Sequence, residues 1–444
     1  MSAWAATSPP KSDQNSVRKL LGLPRKMSRS TCSRSSQSNR SVDALISSCN
    51  LGAHAVRTAL ARPRGQSAIA STLPRMRTEA PDGAVNTARG VLCFYVGYTP
   101  DLAPSDRVGQ QFYGAELATV RLAEQLTRFY DVYVFGALCS DADRNGVHYR
   151  NSDGLNDFQR DHVVDVMIIS RYVHYFLEFT NRAAKTFLWF HDVLAQPYWQ
   201  FHELPAGATH LVENMMPGID GLIVLSPWHK EFVLQRYDID PAKVFVLGNA
   251  IDVTLYESPT PIAKVPNRFI YTSAPNRGLD VLLGCFHEIH EQIPAAELYI
   301  YRGSEDFSKE ILEEIDACGY IHYMGALDNV ALAREFLTTD VWFYPTAWAE
   351  TYCISALEAQ MAGCVCVASD VAALHTTVGD RGVLLNTNQS AEGFARDAVA
   401  AVVDLLNDPV RKHDLQTRGR AWASQQTWTV RASEWRALLE SDAG

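Results

Sequence analysis

The chain has 444 residues, 47% of them hydrophobic and 20% charged, with a formal net charge of −10. This is more chain than one hydrophobic core fills, so two domains of ordinary size are expected, and no apolar run approaches the roughly 18 residues of a membrane span. Charge is uneven: residues 1–88 carry net +9 and the remainder net −19, so the acidic body repels polyanions and nucleic acid is excluded as its partner.

Residues 1–88 hold 15 serines and many arginines, as in SRSTCSRSSQSNRS. Such a segment buries too little apolar surface to offset its ordering entropy, and a disordered tail is expected. Its Ser/Arg-rich, acid-poor composition is that of an organelle transit peptide, and a start over-extended beyond Met27 or Met76 explains it equally well. The location expected for the body is cytoplasmic, with organelle targeting left open.

From Gly90 the text alternates short apolar runs with helical patterns: GVLCFYVGY, AELATVRLAEQLTRF, then DVYVFG. Further runs follow at 164–170, 186–190, 221–226 and 243–249, which is the grammar of a parallel sheet with helices on both faces. The pattern restarts at RFIYTSA (268–274) and continues through AELYIYRG, YIHYMG, DVWFYPT, GCVCVAS and GVLLN. ESPTPIAKVPN (257–267), with three prolines, reads as the linker between two α/β units. The expected division is a tail 1–88, a first domain 89–255, a second 256–425 and a closing helix 426–444.

The nine cysteines are scattered singly, as in a reduced compartment. Cys364 and Cys366 alternate on a strand as small hydrophobes. Two D-x-D triplets, Asp141–Asp143 in a polar loop and Asp238–Asp240 before Pro241, read as turn chemistry, and no catalytic metal is expected. No Walker lysine loop, nucleophile elbow or dinucleotide fingerprint is present.

The second unit carries ETYCISALEAQMAGCVCVAS (350–369). Glu350 falls in the loop after an apolar strand, at the strand end where open parallel sheets bind ligands. Glu358 follows Ser355 by three residues, so its simpler role is that of a capping box. Beyond capping, the spacing offers two acceptors beside a helix N-terminus that favours anions, a layout suited to a nucleotide-sugar. In the first unit Gly109 and Gly114 precede a helix with Ala115, Ala118, Leu122, Leu126 and Phe129 at helical spacing, and Glu116 complements its dipole. His191 and Asp192 end a buried-looking strand ahead of Tyr198, Trp199 and Phe201, which could stack on a sugar or pack between lobes.

The pair Glu350 and Glu358 with EAQMAGCVCVAS, together with SAPNRGLDVLL, YMGAL and QQTWTVRASEWRALL, resembles retaining GT-B glycosyltransferases of the family-4-like group over residues 90–440. The resemblance implies two Rossmann-like domains facing a central cleft, and no cofactor beyond a nucleotide-diphosphate sugar donor. It implies hexose transfer from a UDP- or GDP-sugar to a hydroxyl acceptor such as a glycan, with contact at a membrane surface left open. The implied catalytic residues are Glu350, His191 and Arg277. The implied donor-binding residues are Glu358, Thr351, Tyr352, Cys353, Gly303, Met324, Gly325 and Gly114. This sequence departs from the pattern in two places: Thr272 stands where the first of two phosphate-binding cations is expected, and Tyr113 replaces a glycine. Lys264, Arg268 or Arg302 could supply the missing charge. A non-catalytic GT-B nucleotide-binding protein and a GT-B sugar-nucleotide epimerase are the competing readings.

Overall fold

The computed structural model describes residues 89–441 apart from 101, 105–113, 139, 194–211, 213, 214, 259 and 261. The expectations for the tail and for Gly109, Tyr113, Tyr198, Trp199 and Phe201 lie outside the described residues. The chain divides into Met1–Thr87 and Ala88–Gly444, and the second unit contains everything that follows.

Its first lobe is an eight-stranded sheet: β1 (Gly90–Pro100), β2 (Tyr130–Ala137), β3 (Ala142–Arg144), β4 (Val147–Asn151), β5 (Val166–Ser170), β6 (Lys185–Trp189), β7 (Gly221–Val224) and β8 (Val244–Val246). The order is β3-β4-β2-β1-β5-β6-β7-β8, and every pairing is parallel except β3 with β4. Every residue of β5 and β7 is buried, as expected for strands covered on both faces, and this is why VMIIS and GLIV show no polar alternation. The triplet Asp141–Asp143 does not lie in a loop. Ala142–Arg144 forms the antiparallel edge strand, where Asp143 meets His148 Nδ1 at 2.7 Å and Asp141 accepts the Asn151 N–H at 3.0 Å. Asp240 accepts the Ala242 N–H and caps a short turn.

The second lobe is a fully parallel six-stranded sheet: β9 (Arg268–Tyr271), β10 (Glu297–Ile300), β11 (Ile321–Tyr323), β12 (Val341–Tyr344), β13 (Val365–Ser369) and β14 (Val383–Leu385), ordered β11-β10-β9-β12-β13-β14. Strand order reverses between β1 and β5 in one lobe and between β9 and β12 in the other. A crevice opens at such a switch, where the connections leave neighbouring strands in opposite directions.

Four helices bear on the site. The first, α1 (Gly114–Leu126), follows β1 and buries Ala118, Leu122 and Leu126 on one face. The second, α2 (Leu279–Gln292), buries Leu279, Leu282, Leu283, Phe286 and Ile289 at helical spacing. The third, α3 (Ile354–Met361), ends where Gly363, at φ +79°, lets the Cys364 N–H return to the Ala359 carbonyl and its own N–H reach that of Gln360. The last, α4 (Trp428–Glu440), leaves the second lobe and packs on the first: Trp435 meets Trp189 edge-on at 4.9 Å, and the Lys185 amine donates to the Leu439 and Ser441 carbonyls.

Candidate functional site

Two segments meet at the β9/β12 switch. After β9 the chain turns through Pro275–Arg277 to Gly278, whose φ of +95° starts α2. A Cβ there would lie 2.7 Å from the Pro345 carbonyl, so only glycine lets this turn approach the loop after β12. Gly278→Ala is therefore expected to lose about 1 to 3 kcal/mol of stability through strain alone, read as a lower Tm.

The loop after β12 carries Glu350, whose side chain is 8% exposed. Its Oε1 accepts the Tyr344 hydroxyl at 2.7 Å and Arg277 Nη1 at 2.9 Å. The buried Tyr344 phenol is pushed well above its ordinary range, first by burial and then by the Glu350 charge, and so remains a donor. Arg277 and Glu350, 73 residues apart, thus form one charged pair.

The Cys353 backbone is left-handed, with φ +70°, and α3 begins at Ile354 without a side-chain cap. The capping-box reading of Ser355 and Glu358 is thereby corrected: Ser355 lies inside the helix and accepts Thr272 Oγ1 at 3.4 Å. What remains at the carboxyl end of β12 is a helix start whose first N–H groups lack a side-chain partner, suited to an anion. Glu358 sits half-buried on the next turn. Burial pushes its carboxyl up to about 7, against the opposing pull of the Tyr256 hydroxyl.

The other named positions fall in different places. The Tyr352 ring fills the space beside Gly248, where a Cβ would lie 2.6 Å from it, and Arg431 of α4 faces its hydroxyl. Its side chain is structural. The Cys353 thiol is buried and pushed well above its ordinary range, by burial first, so only its backbone can serve a ligand. Gly303 follows β10 and is buried. Met324 is exposed after β11, and Gly325, at φ +77°, faces open space. Of the three candidate cations, Lys264 and Arg268 are at the wrong end. Arg268 opens β9 and pairs with Glu335 at 2.7 Å, and the Lys264 amine donates to the Phe336 carbonyl at 3.2 Å. Arg302 follows β10 at the correct end but is paired with Asp306.

Across the crevice, Thr351 Oγ1 donates to the His191 carbonyl at 2.7 Å, a direct hydrogen bond between the lobes. The His191 imidazole packs on Trp189 at 4.1 Å, and its buried Nε2 has no partner among the described residues. Burial first, then Arg171, holds its pKa well below the ordinary value, so the ring is neutral. Asp192 grips Arg171 through both oxygens, at 2.5 and 2.9 Å, and Arg171 Nη1 reaches Glu116 of α1 at 3.4 Å. Arg171 directly follows β5 with φ +75°, at the β1/β5 switch. Gly114 opens α1 and is exposed, and a Cβ added there would meet no atom within 4 Å. No group of three or more metal-type side chains occurs among the described residues, nor any helix long and apolar enough to cross a membrane.

Residues 267–408 match the family Glycosyl transferases group 1. A phosphatidyl-myo-inositol mannosyltransferase of Mycolicibacterium smegmatis is 28% identical over 173 residues, covering 38% of this chain and 43% of that protein. A phosphatidylinositol N-acetylglucosaminyltransferase component of Arabidopsis thaliana is 23% identical over 232 residues, covering 49% and 50%. The chain spans about half the length of these curated relatives. Sucrose-phosphate synthase from Thermosynechococcus elongatus shares the fold with a TM-score of 0.62 at 15% identity, over 79% of this chain and 98% of its own. Anabaena HepE, solved with UDP and glucose, does so with 0.58 at 15% identity, over 79% and 99%.

Proposed function

We propose, from the premise that this chain is a family-4-like GT-B protein whose second lobe belongs to the glycosyl transferases group 1 family, that it transfers a hexose from a UDP- or GDP-sugar to a hydroxyl acceptor with retention. The observation that supports this best is the Arg277–Glu350 pair at the β9/β12 switch, beside the uncapped start of α3. Names of relatives that move mannose or N-acetylglucosamine, and a structural neighbour solved with UDP, agree with it.

In this reading the acceptor oxygen forms a bond to the anomeric carbon as the bond from that carbon to the diphosphate breaks. The acceptor proton passes to the departing phosphate oxygen, so no protein nucleophile is needed. Arg277 and the N–H groups at the start of α3 stabilise the diphosphate charge as it develops. Glu350 turns its remaining acceptor capacity to the sugar hydroxyls, and His191 orients the sugar from the other lobe. Glu358 accepts from the ribose, with the base near Gly303, Met324 and Gly325.

The test is thermal stability of the full chain against UDP and GDP, followed by release of nucleoside diphosphate from the matching sugar donors. Stabilisation by one of them, with product of retained anomeric configuration, supports the reading; no stabilisation and no release overturn it. Glu358→Ala is expected to weaken nucleotide binding roughly 10- to 150-fold, the equivalent of about 1.5 to 3 kcal/mol for a hydrogen bond to a charged group. Unchanged affinity removes Glu358 from the site.

Acidity gives a separate check. The Glu358 carboxyl titrates at about 7, and its protonated form loses an acceptor, so nucleotide affinity is expected to fall as pH drops through 7. Folding responds in the opposite sense. A carboxyl raised from 4.5 favours the protonated native state, so its contribution to stability is present below 4.5 and declines as pH rises through about 7. Calorimetric titrations at pH 6 and 8 separate binding from folding.

A further inference from the structure

Trp348 is 40% exposed, an uncommon setting for so large a ring, and lies two residues before Glu350. Its loop is tied down at both ends: the Trp348 N–H donates to Thr346 Oγ1 at 2.9 Å, and the Glu350 N–H donates to the Trp348 carbonyl at 2.9 Å. The ring lies against Arg277, with the guanidinium carbon 4.9 Å from its centroid. Arg277 is thus bounded by the Glu350 carboxylate at Nη1 and by the indole face, while its side chain remains 37% exposed. Nη1 is the one guanidinium nitrogen with a hydrogen-bond partner among the described residues.

Beyond the N–H groups at the start of α3, the neighbourhood supplies little other help for an anion. Thr272 is neutral and bonded to Ser355, Arg302 is paired with Asp306, and Lys264 and Arg268 face the other end of the sheet. A single arginine must therefore do what two cations would share. Its Nη1 is already taken by Glu350, which leaves the rest of the guanidinium for a ligand. A ring beneath the guanidinium attracts it electrostatically and fixes its plane, and it strips water from one face.

We infer that Trp348 is a positioning residue for the donor diphosphate, its indole face holding Arg277 so that the free edge of the guanidinium points into the crevice. This rests on the proposed role of Arg277 and names a residue that the glutamate spacing does not mark. A cation over an aromatic face contributes about 0.5 to 2 kcal/mol, according to its desolvation. W348A should then weaken diphosphate binding roughly 2- to 30-fold, and W348F, which keeps a smaller aromatic face, should fall between.

The experiment is isothermal titration of the full chain and both variants with UDP and UMP, and with GDP and GMP. The expected result is a loss in W348A that is larger for the diphosphate than for the monophosphate of the same base, partly restored in W348F. A role in shaping the pocket alone would weaken both nucleotides equally, and that result overturns the inference, as does unchanged diphosphate affinity in W348A. If the unsubstituted chain binds none of the four, the proposed function fails first and this inference falls with it.

Discussion

Glu350→Gln is expected to lower kcat/KM for the proposed sugar transfer roughly 100-fold, while Tm moves little. The amide oxygen can still accept from Tyr344 and Arg277, whose donors lie 2.7 and 2.9 Å from Oε1, so the loop keeps its shape. Two things change. The second oxygen becomes an NH2 group, which cannot accept from a sugar hydroxyl, and Arg277 loses the charge that balances it. Arg277, which acts on the developing diphosphate charge, is then no longer held by a carboxylate, and losing one such preorganised donor costs about 100- to 1,000-fold. Glu350→Ala should add a loss of about 1 to 3 kcal/mol in stability, because the buried Tyr344 hydroxyl is left without its acceptor. Steady-state kinetics with the donor identified by thermal shift provide the measurement. A Gln variant within threefold of the parent would remove Glu350 from the chemistry and leave it a structural partner of Arg277.

The largest stability effect is expected behind His191, at the second ring from it. Trp435→Ala should destabilise the chain by about 3 to 5 kcal/mol, the usual range for emptying a buried tryptophan site. Trp435 is 1% exposed and rests edge-on against Trp189, which in turn carries the His191 ring at 4.1 Å. The variant should therefore lose activity through His191 as well as stability. Trp435→Phe, which retains most of the packing, should recover both. Denaturant unfolding followed beside kinetics decides this: full activity in a destabilised Ala variant would mean that the three-ring stack supports the fold but does not set the position of His191.

Much of the architecture could be read from the chain. Fully buried parallel strands are apolar throughout, so VDVMIIS, GLIVLS and DVWFYPT stand out wherever they occur, and the restart at RFIYTSA marks the second lobe. Two successive α/β units follow from those runs and their order, and the GT-B arrangement came from the resemblance carried by the Glu350 and Glu358 motif. Local geometry was less legible. The start of α3 reads as Ser355 with a capping glutamate, yet the chain reaches the helix through a left-handed Cys353, a conformation that no side-chain pattern announces. Asp141–Asp143 looks like a loop because a three-residue edge strand is too short to show alternation.

Side-chain direction is the other limit. Tyr352 is adjacent to Thr351 in the chain, but one packs beside Gly248 and α4 while the other bonds across to His191. Arg171 is invisible to motif reasoning: its partners Asp192 and Glu116 lie 21 and 55 residues away, and only the β1/β5 switch brings them together. Its one hint was position, directly after the apolar run that forms β5.

The path of α4 has a consequence for how the polypeptide is made. Trp189 acquires its partner Trp435, and Lys185 its carbonyls at Leu439 and Ser441, only when α4 and the residue after it have been synthesised. At typical translation speeds of about 5 to 20 residues per second, the interval between the two tryptophans is roughly 10 to 50 s. During that time the face of the first lobe around Trp189 lacks the cover that Trp435 gives it. Completion of the first lobe thereby waits on the synthesis of α4, and a ribosome stalled before Trp428 would hold a first lobe without that cover.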